Sequence, residues 1–144
     1  MSRKKRIRKL AAALAAATGA LFVATASAHG TAATITIRHQ THGCHTWSFN
    51  NGPSKAALSI RLSRGATLTV KNNDVMPHKL IRASGPSARV LTPRMGRVGA
   101  AARIHFTKAG VYKFTTKAGE DYSWASKMKT TGEDNVLRLT VTVR

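Results

Sequence analysis

Three of the six histidines and the only cysteine of the chain lie within seven residues, in the stretch from His39 to His45. Imidazole and thiolate groups together are good ligands for copper, zinc or iron, and a thiolate beside imidazoles is typical of copper electron-transfer sites. The stretch follows a predicted strand, where side chains can converge on one point. The cluster therefore predicts a metal site, with copper as the first choice and zinc as the alternative.

The spacing within this cluster limits which side chains share a face. If the strand continued, His42 and Cys44 would lie on one face, and His45 would point the other way. Gly43 permits a bend that would relieve this restriction. His42 with Cys44 is thus the first pair to consider, with His45 as an addition and His39 as an accessory ligand, while a chance cluster in a polar loop is the alternative.

The elements that must position these residues are short strands. Apolar and polar residues alternate in five segments, which is typical of half-buried strands, and breakers such as Asn50–Pro53 and Asn72–Asp74 separate them. Weaker strands are expected near 78–82 and 102–106. Many short strands at this spacing predict one all-β domain, a sandwich or a barrel. The five segments are Thr34–Arg38, Leu58–Leu62, Ala66–Lys71, Val111–Thr115 and Val136–Val143.

The first 28 residues have the pattern of a secretory signal peptide. A basic start is followed by the apolar run Leu10–Ala26 and by Ala26-Ser27-Ala28, a small-x-small cleavage pattern. We therefore expect a signal peptide at 1–28, a domain at 29–144 and a secreted or periplasmic product without a membrane span; an uncleaved anchor is the alternative. Cleavage after Ala28 would make His29 the N-terminal residue, whose amine and imidazole could chelate copper.

The chain is strongly basic, with 24 lysines and arginines against five acids. Removing the six basic residues of the signal leaves 18, and such a charge favours attraction to an acidic protein or an anionic envelope surface. The basic residues are scattered, and no nucleic-acid-binding motif is present, so nucleic acid is not an expected partner. No nucleophile–base motif is visible, and an enzyme is therefore the less favoured class.

Two further segments resemble the cupredoxin (blue-copper) family. In Asn72-Asn73-Asp74-Val75-Met76-Pro77-His78 a polar turn ends a strand and precedes a histidine, as at the family's first copper ligand, and Gly110–Phe114 matches its Gly-x-Tyr-x-Phe strand. The resemblance implies a Greek-key β-sandwich, with His78 as a copper ligand. It also implies electron transfer or copper handling as the function.

The sequence departs from the family where the remaining ligands are expected. Thr116 stands in the position of the ligand cysteine, and no histidine follows His105. We therefore predict a relocated site, built by Cys44 and His78 with imidazoles from the 39–45 cluster. The ligands in this hypothesis are His42, Cys44, His45 and His78, with Met76, Met95 or Met128 as a weak axial ligand.

A second class of function remains open at this stage. The domain could be a metal-free basic sandwich that binds an anionic wall polymer or an acidic protein partner, because a fold does not by itself determine a function.

Overall fold

The computed structural model describes residues 32–118 and 135–144, and these residues form two five-stranded sheets. The predicted signal peptide at 1–28, His29 and Met128 lie outside the described residues. The ten strands are β1 Ala33–His39, β2 His45–Phe49, β3 Ala57–Leu62, β4 Thr67–Asn73, β5 His78–Ser84, β6 Val90–Leu91, β7 Arg94–Met95, β8 Ala101–His105, β9 Gly110–Ala118 and β10 Arg138–Val143.

The strand order defines a sandwich with crossing connections. One sheet has the order β2-β1-β4-β8-β6 and the other β3-β10-β9-β5-β7, so that every connection from β2 to β9 changes sheet. Most neighbouring strands are antiparallel, whereas β1 pairs with β4, and β3 with β10, in parallel. The all-β Greek-key sandwich predicted from the sequence is confirmed. The weak strands expected near 78–82 and 102–106 are present as β5 and β8.

The core lies between the sheets and follows the alternation read from the sequence. In β9 the inward Tyr112 and Phe114 are buried, whereas the outward Val111 and Lys113 are exposed. Phe106 packs edge-to-face against Tyr112, with ring centroids 4.9 Å apart. Apolar residues at alternating positions of both sheets complete the core, and this burial is the main term that stabilises such a fold.

The register brings several strand ends together at one end of the sandwich. Because β1 is parallel to β4, Arg38 near the end of β1 pairs with Asn73 at the end of β4. The antiparallel partner β2 begins at His45, opposite His39. In the other sheet His78, the first residue of β5, pairs with Met95 and Ala118. Of the residues singled out for metal chemistry, those that the structure describes therefore lie around this end of the sandwich.

The described part of the chain is built from strands, and it has no helix of the length and apolarity needed to cross a bilayer.

Candidate metal centre

A tight turn between β1 and β2 brings Cys44 and His45 to the end of the sandwich. The strand ends at His39 rather than continuing, and Gly43 and Cys44 both have left-handed backbones with φ of 71° and 57°. The Gln40 N–H donates to the Cys44 carbonyl over 2.6 Å and closes the turn. The expectation that His42 and Cys44 share a face required a continuing strand. In this turn Cys44 is buried, while His42 is exposed.

Asn135, which precedes β10, holds the turn in place from a distant part of the chain. Its backbone N–H donates to the Gly43 carbonyl over 3.0 Å, and its side-chain amide donates to the His45 carbonyl over 2.8 Å. A Cβ on Gly43 would lie 2.5 Å from the Asn135 Nδ2 atom. Glycine at position 43 is therefore required both by the positive φ and by this close approach.

The loop between β4 and β5 is folded by two consecutive side-chain turns. Asn72 accepts a hydrogen bond from the Asp74 N–H over 2.9 Å, and Asp74 accepts one from the Met76 N–H over 3.2 Å. These are Asx turns, in which a side chain replaces a backbone acceptor. The Asn72 amide also donates to the carbonyls of Met76 and Met95, over 2.8 and 2.9 Å. Asn72 thus ties the loop to β7 and points Asp74 inward.

We expect Asn72→Ala to lower the free energy of unfolding by about 2–3 kcal/mol, because it leaves two buried carbonyls and one buried N–H without their partner. Asn73→Ala, in the neighbouring exposed position, is the matched control and should change the stability by less than about 0.5 kcal/mol. Urea denaturation of the two variants measures the difference. Equal effects would show that the Asn72 hydrogen bonds do not hold this loop.

Four side chains meet where these two segments come together. The His78 Nε2 atom lies 3.0 Å from Asp74 Oδ2, and its Nδ1 atom lies 3.3 Å from Thr116 Oγ1. The His45 and His78 rings pack edge-to-face, with centroids 4.9 Å apart. Within the described residues, one ligand atom from each of His45, Asp74 and His78 lies within 4.8 Å of the others, and all three residues are buried. We call these three residues the His–Asp–His group.

The electrostatics of Asp74 favour its ionised form. Burial alone raises the pKa of Asp74, but hydrogen bonds from His78 and from the Met76 N–H, together with the charges of protonated His78 and His45, hold this pKa below its ordinary value of 3.8. His39 Nδ1 lies 3.4 Å from Asp74 Oδ1, within ion-pair distance. The site thus contains a buried, ionised carboxylate within 3.4 Å of two imidazoles, those of His39 and His78.

Two sulfur atoms contact each other on the segments that carry the His–Asp–His group. The Cys44 thiol is directed at Met76, with 3.1 Å between Sγ and Sδ. Cys44, Val75 and Met76 form a small buried cluster next to Ala118, separate from the main core. A thiolate and a thioether are soft ligands that favour Cu(I). The end of the sandwich therefore presents nitrogen, oxygen and sulfur donors, with the sulfur supplied by Cys44 and Met76.

The structure brings together some of the predicted ligands and leaves others apart. His45 and His78 belong to the His–Asp–His group, whereas His42 and Cys44 do not. Met95 is fully buried opposite His78 in the register. His39 lies beside Asp74.

Asp74 is the residue that the sequence interpretation missed as part of the site. The sequence did point to Asp74, because it lies four residues before His78 in a chain with only five acids. A carboxylate that orients an imidazole is common at metal sites.

No family model matches the sequence, and neither does any curated protein. Solved structures of similar architecture include an oxidized mutant of amicyanin, 16% identical, with a TM-score of 0.39 and coverage of 77% of this chain and 82% of that one. A purple cupredoxin from Nitrosopumilus maritimus is 22% identical, with a TM-score of 0.42 and coverage of 76% and 99%. The copper-containing nitrite reductase of Thermus scotoductus is 18% identical, with a TM-score of 0.39 and coverage of 76% and 22%.

These similarities concern the arrangement of strands and say nothing of what this chain binds. The two sheets and their strand order are those of a β-sandwich. The function must be argued from the side chains at its end.

Proposed function

We propose that this chain is an exported small copper-binding protein of cupredoxin type, whose copper is held at the end of the sandwich by the imidazoles of His45 and His78. The observation that supports the proposal most is the buried His–Asp–His group, with its ligand atoms within 4.8 Å of one another. Imidazole is a good ligand for both copper and zinc. The thioether of Met76, which is not a usual zinc ligand, favours copper over zinc in this proposal.

Asp74 has a supporting role in the proposed site. Because its carboxylate is 3.0 Å from His78 Nε2, it fixes the orientation of the ring and increases the basicity of the imidazole. The proposed metal-binding nitrogen is then Nδ1, where the metal would replace the 3.3 Å contact with the Thr116 hydroxyl. Cys44 is proposed as the thiolate ligand. We leave His42 out of the ligand set because its side chain is exposed.

Electron transfer is the activity that we favour within this proposal. A redox site needs little reorganisation, and His45, Asp74, His78 and Cys44 are each at most 6% exposed. Copper handling is the second candidate, supported by the Cys44–Met76 contact at 3.1 Å, because a soft sulfur pair suits Cu(I) and its transfer. Export is part of the proposal on the strength of the signal pattern at 1–28.

Copper loading with a visible spectrum tests this proposal. Protein beginning at residue 29, with His29→Ala to remove an N-terminal chelate, receives one equivalent of Cu(II). We expect stoichiometric binding and an intense thiolate-to-copper band that Cys44→Ser removes and Met76→Leu retains. Stoichiometric copper without such a band would contradict a Cys44 ligand and leave an imidazole site. No bound copper would contradict the proposed function.

A further inference from the structure

Three cations stand side by side on the outer face of the second sheet. Lys79 of β5 pairs directly with Arg94 of β7 on one side and with Lys117 of β9 on the other. All three are exposed. Strands in a sheet lie about 4.7–4.9 Å apart, and like charges directly opposite each other destabilise a sheet. Folding alone would not favour this row, which we call the cationic row.

The rest of the same face continues the pattern. Arg138 of β10 pairs with Thr115, and Lys113 of β9 pairs with Thr140. Arg61 of β3 lies beside Thr142. This face thus carries three further cations and three threonines beside the exposed Val111, and no acid occurs in its five strands.

Nothing within the described residues neutralises this charge. Asp74 is the only acid of residues 32–118 and 135–144, and it is buried in the His–Asp–His group. Among the residues that the structure describes, no exposed carboxylate therefore lies beside the three cations of the row. A strongly positive face of this kind concentrates anions and speeds their association.

The composition of the face favours a linear polyanion over a folded protein. Protein interfaces are enriched in aromatic residues and have an apolar centre, whereas the aromatic residues of β9, Tyr112 and Phe114, point into the core. Lysine, arginine and the hydroxyls of threonine and serine are the side chains that contact phosphate oxygens. A row of adjacent cations with threonine hydroxyls close by suits a flexible chain that carries a phosphate in each repeat.

We infer that the outer face of the β3-β10-β9-β5-β7 sheet, centred on the cationic row, is a binding surface for a linear phosphate polymer. The inference goes beyond copper binding and does not depend on it, because Lys79 and the proposed ligand His78 point to opposite faces of β5. Lys79, Arg94 and Lys117 are neighbours in sequence of His78, Met95 and Thr116. A polymer on the face would hold the metal end of the sandwich near an anionic matrix outside the cytoplasm.

Binding of long-chain inorganic polyphosphate to the full exported domain tests the inference. The variant combines Lys79→Thr, Arg94→Thr and Lys117→Thr. The matched control combines Arg38→Thr, Lys71→Thr and Arg103→Thr, which removes three exposed cations from the other sheet, where none of them pairs with another cation. Both variants lose the same charge. Metal-free protein is used throughout, so that a failure here is distinct from a failure to bind copper.

We expect the row variant to bind polyphosphate at least about 10-fold more weakly at 100 mM salt, and the control less than about 3-fold more weakly. On a flexible polyanion, each lost contact makes the slope of log affinity against log salt concentration shallower by about 0.7. The row variant loses three contacts, so its slope should be shallower by about 2. Equal losses in the two variants would show attraction to net charge only and overturn the inference. Equally tight binding of polyglutamate would also overturn it, because carboxylate chains would then serve as well.

Discussion

Replacing His78 with alanine should lower the affinity for copper by at least about 100-fold. His78 contributes an imidazole to the His–Asp–His group, and its ring is the one that Asp74 and Thr116 hold on either side. Loss of a partner outside the ligand set typically costs 10- to 100-fold in metal affinity, and loss of a ligand should cost more. Competition titration with a chromogenic copper chelator measures the change.

His105→Ala is the matched control for this experiment. His105 is exposed at the end of β8, and its Nδ1 atom lies 3.2 Å from the Thr67 hydroxyl. Thr67 begins β4, whereas the candidate site lies at the other end of that strand, about 20 Å away at about 3.3 Å per residue. The control should bind copper as the parent does. An equal loss in both variants, or none in either, would contradict the role given to His78.

Asp74→Asn should lower the affinity for copper by about 10- to 100-fold while preserving the shape of the side chain. The amide oxygen can still accept the hydrogen bond from the Met76 N–H, but the substitution removes the negative charge that orients and polarises His78. Asn73→Asp, which places a carboxylate at the adjacent exposed position, is the control and should leave the affinity within about 3-fold. Isothermal titration of the metal gives both values. An unchanged affinity in Asp74→Asn would rule out the supporting role of the carboxylate.

The same variant has a pH signature in the metal-free protein. The pKa of Asp74 is lowered in the folded state, so its ionised form stabilises the fold above the ordinary pKa of 3.8 that applies to the unfolded state. That contribution is lost as the pH falls through the folded-state pKa. The difference in unfolding free energy between the parent and Asp74→Asn should therefore be full at pH 6 and shrink below about pH 4. A difference that grows on acidification would contradict the assignment.

The fold was accessible from the sequence because strand alternation is a local signal. Segments such as Thr34–Arg38 and Val111–Thr115 show their buried face in the order of their residues, and turn residues separate them. The position of His78 at the start of β5 also followed from the preceding polar turn. Each of these features depends on neighbours within a few residues.

The composition of the site was less accessible because its contacts are distant in sequence. The turn that positions His45 depends on hydrogen bonds from Asn135, and the side-chain bond of Asn135 joins residues 90 positions apart in the sequence. The left-handed backbone at Cys44 changes which side chains point inward. The alternation of apolar and polar residues along a strand does not predict such a change. Asp74 could be placed in a turn from the sequence, but its burial against His78 depends on how Asn72 ties that turn to β7.

Counting the imidazoles bound to copper tests the central claim most directly. Pulsed electron paramagnetic resonance of the stoichiometric Cu(II) complex, in the His29→Ala background, reports the coupled imidazole nitrogens. We expect two imidazoles in the parent, and one in each of His45→Ala and His78→Ala at a copper concentration that still loads them. A spectrum that is unchanged by both substitutions would contradict copper binding at the end of the sandwich.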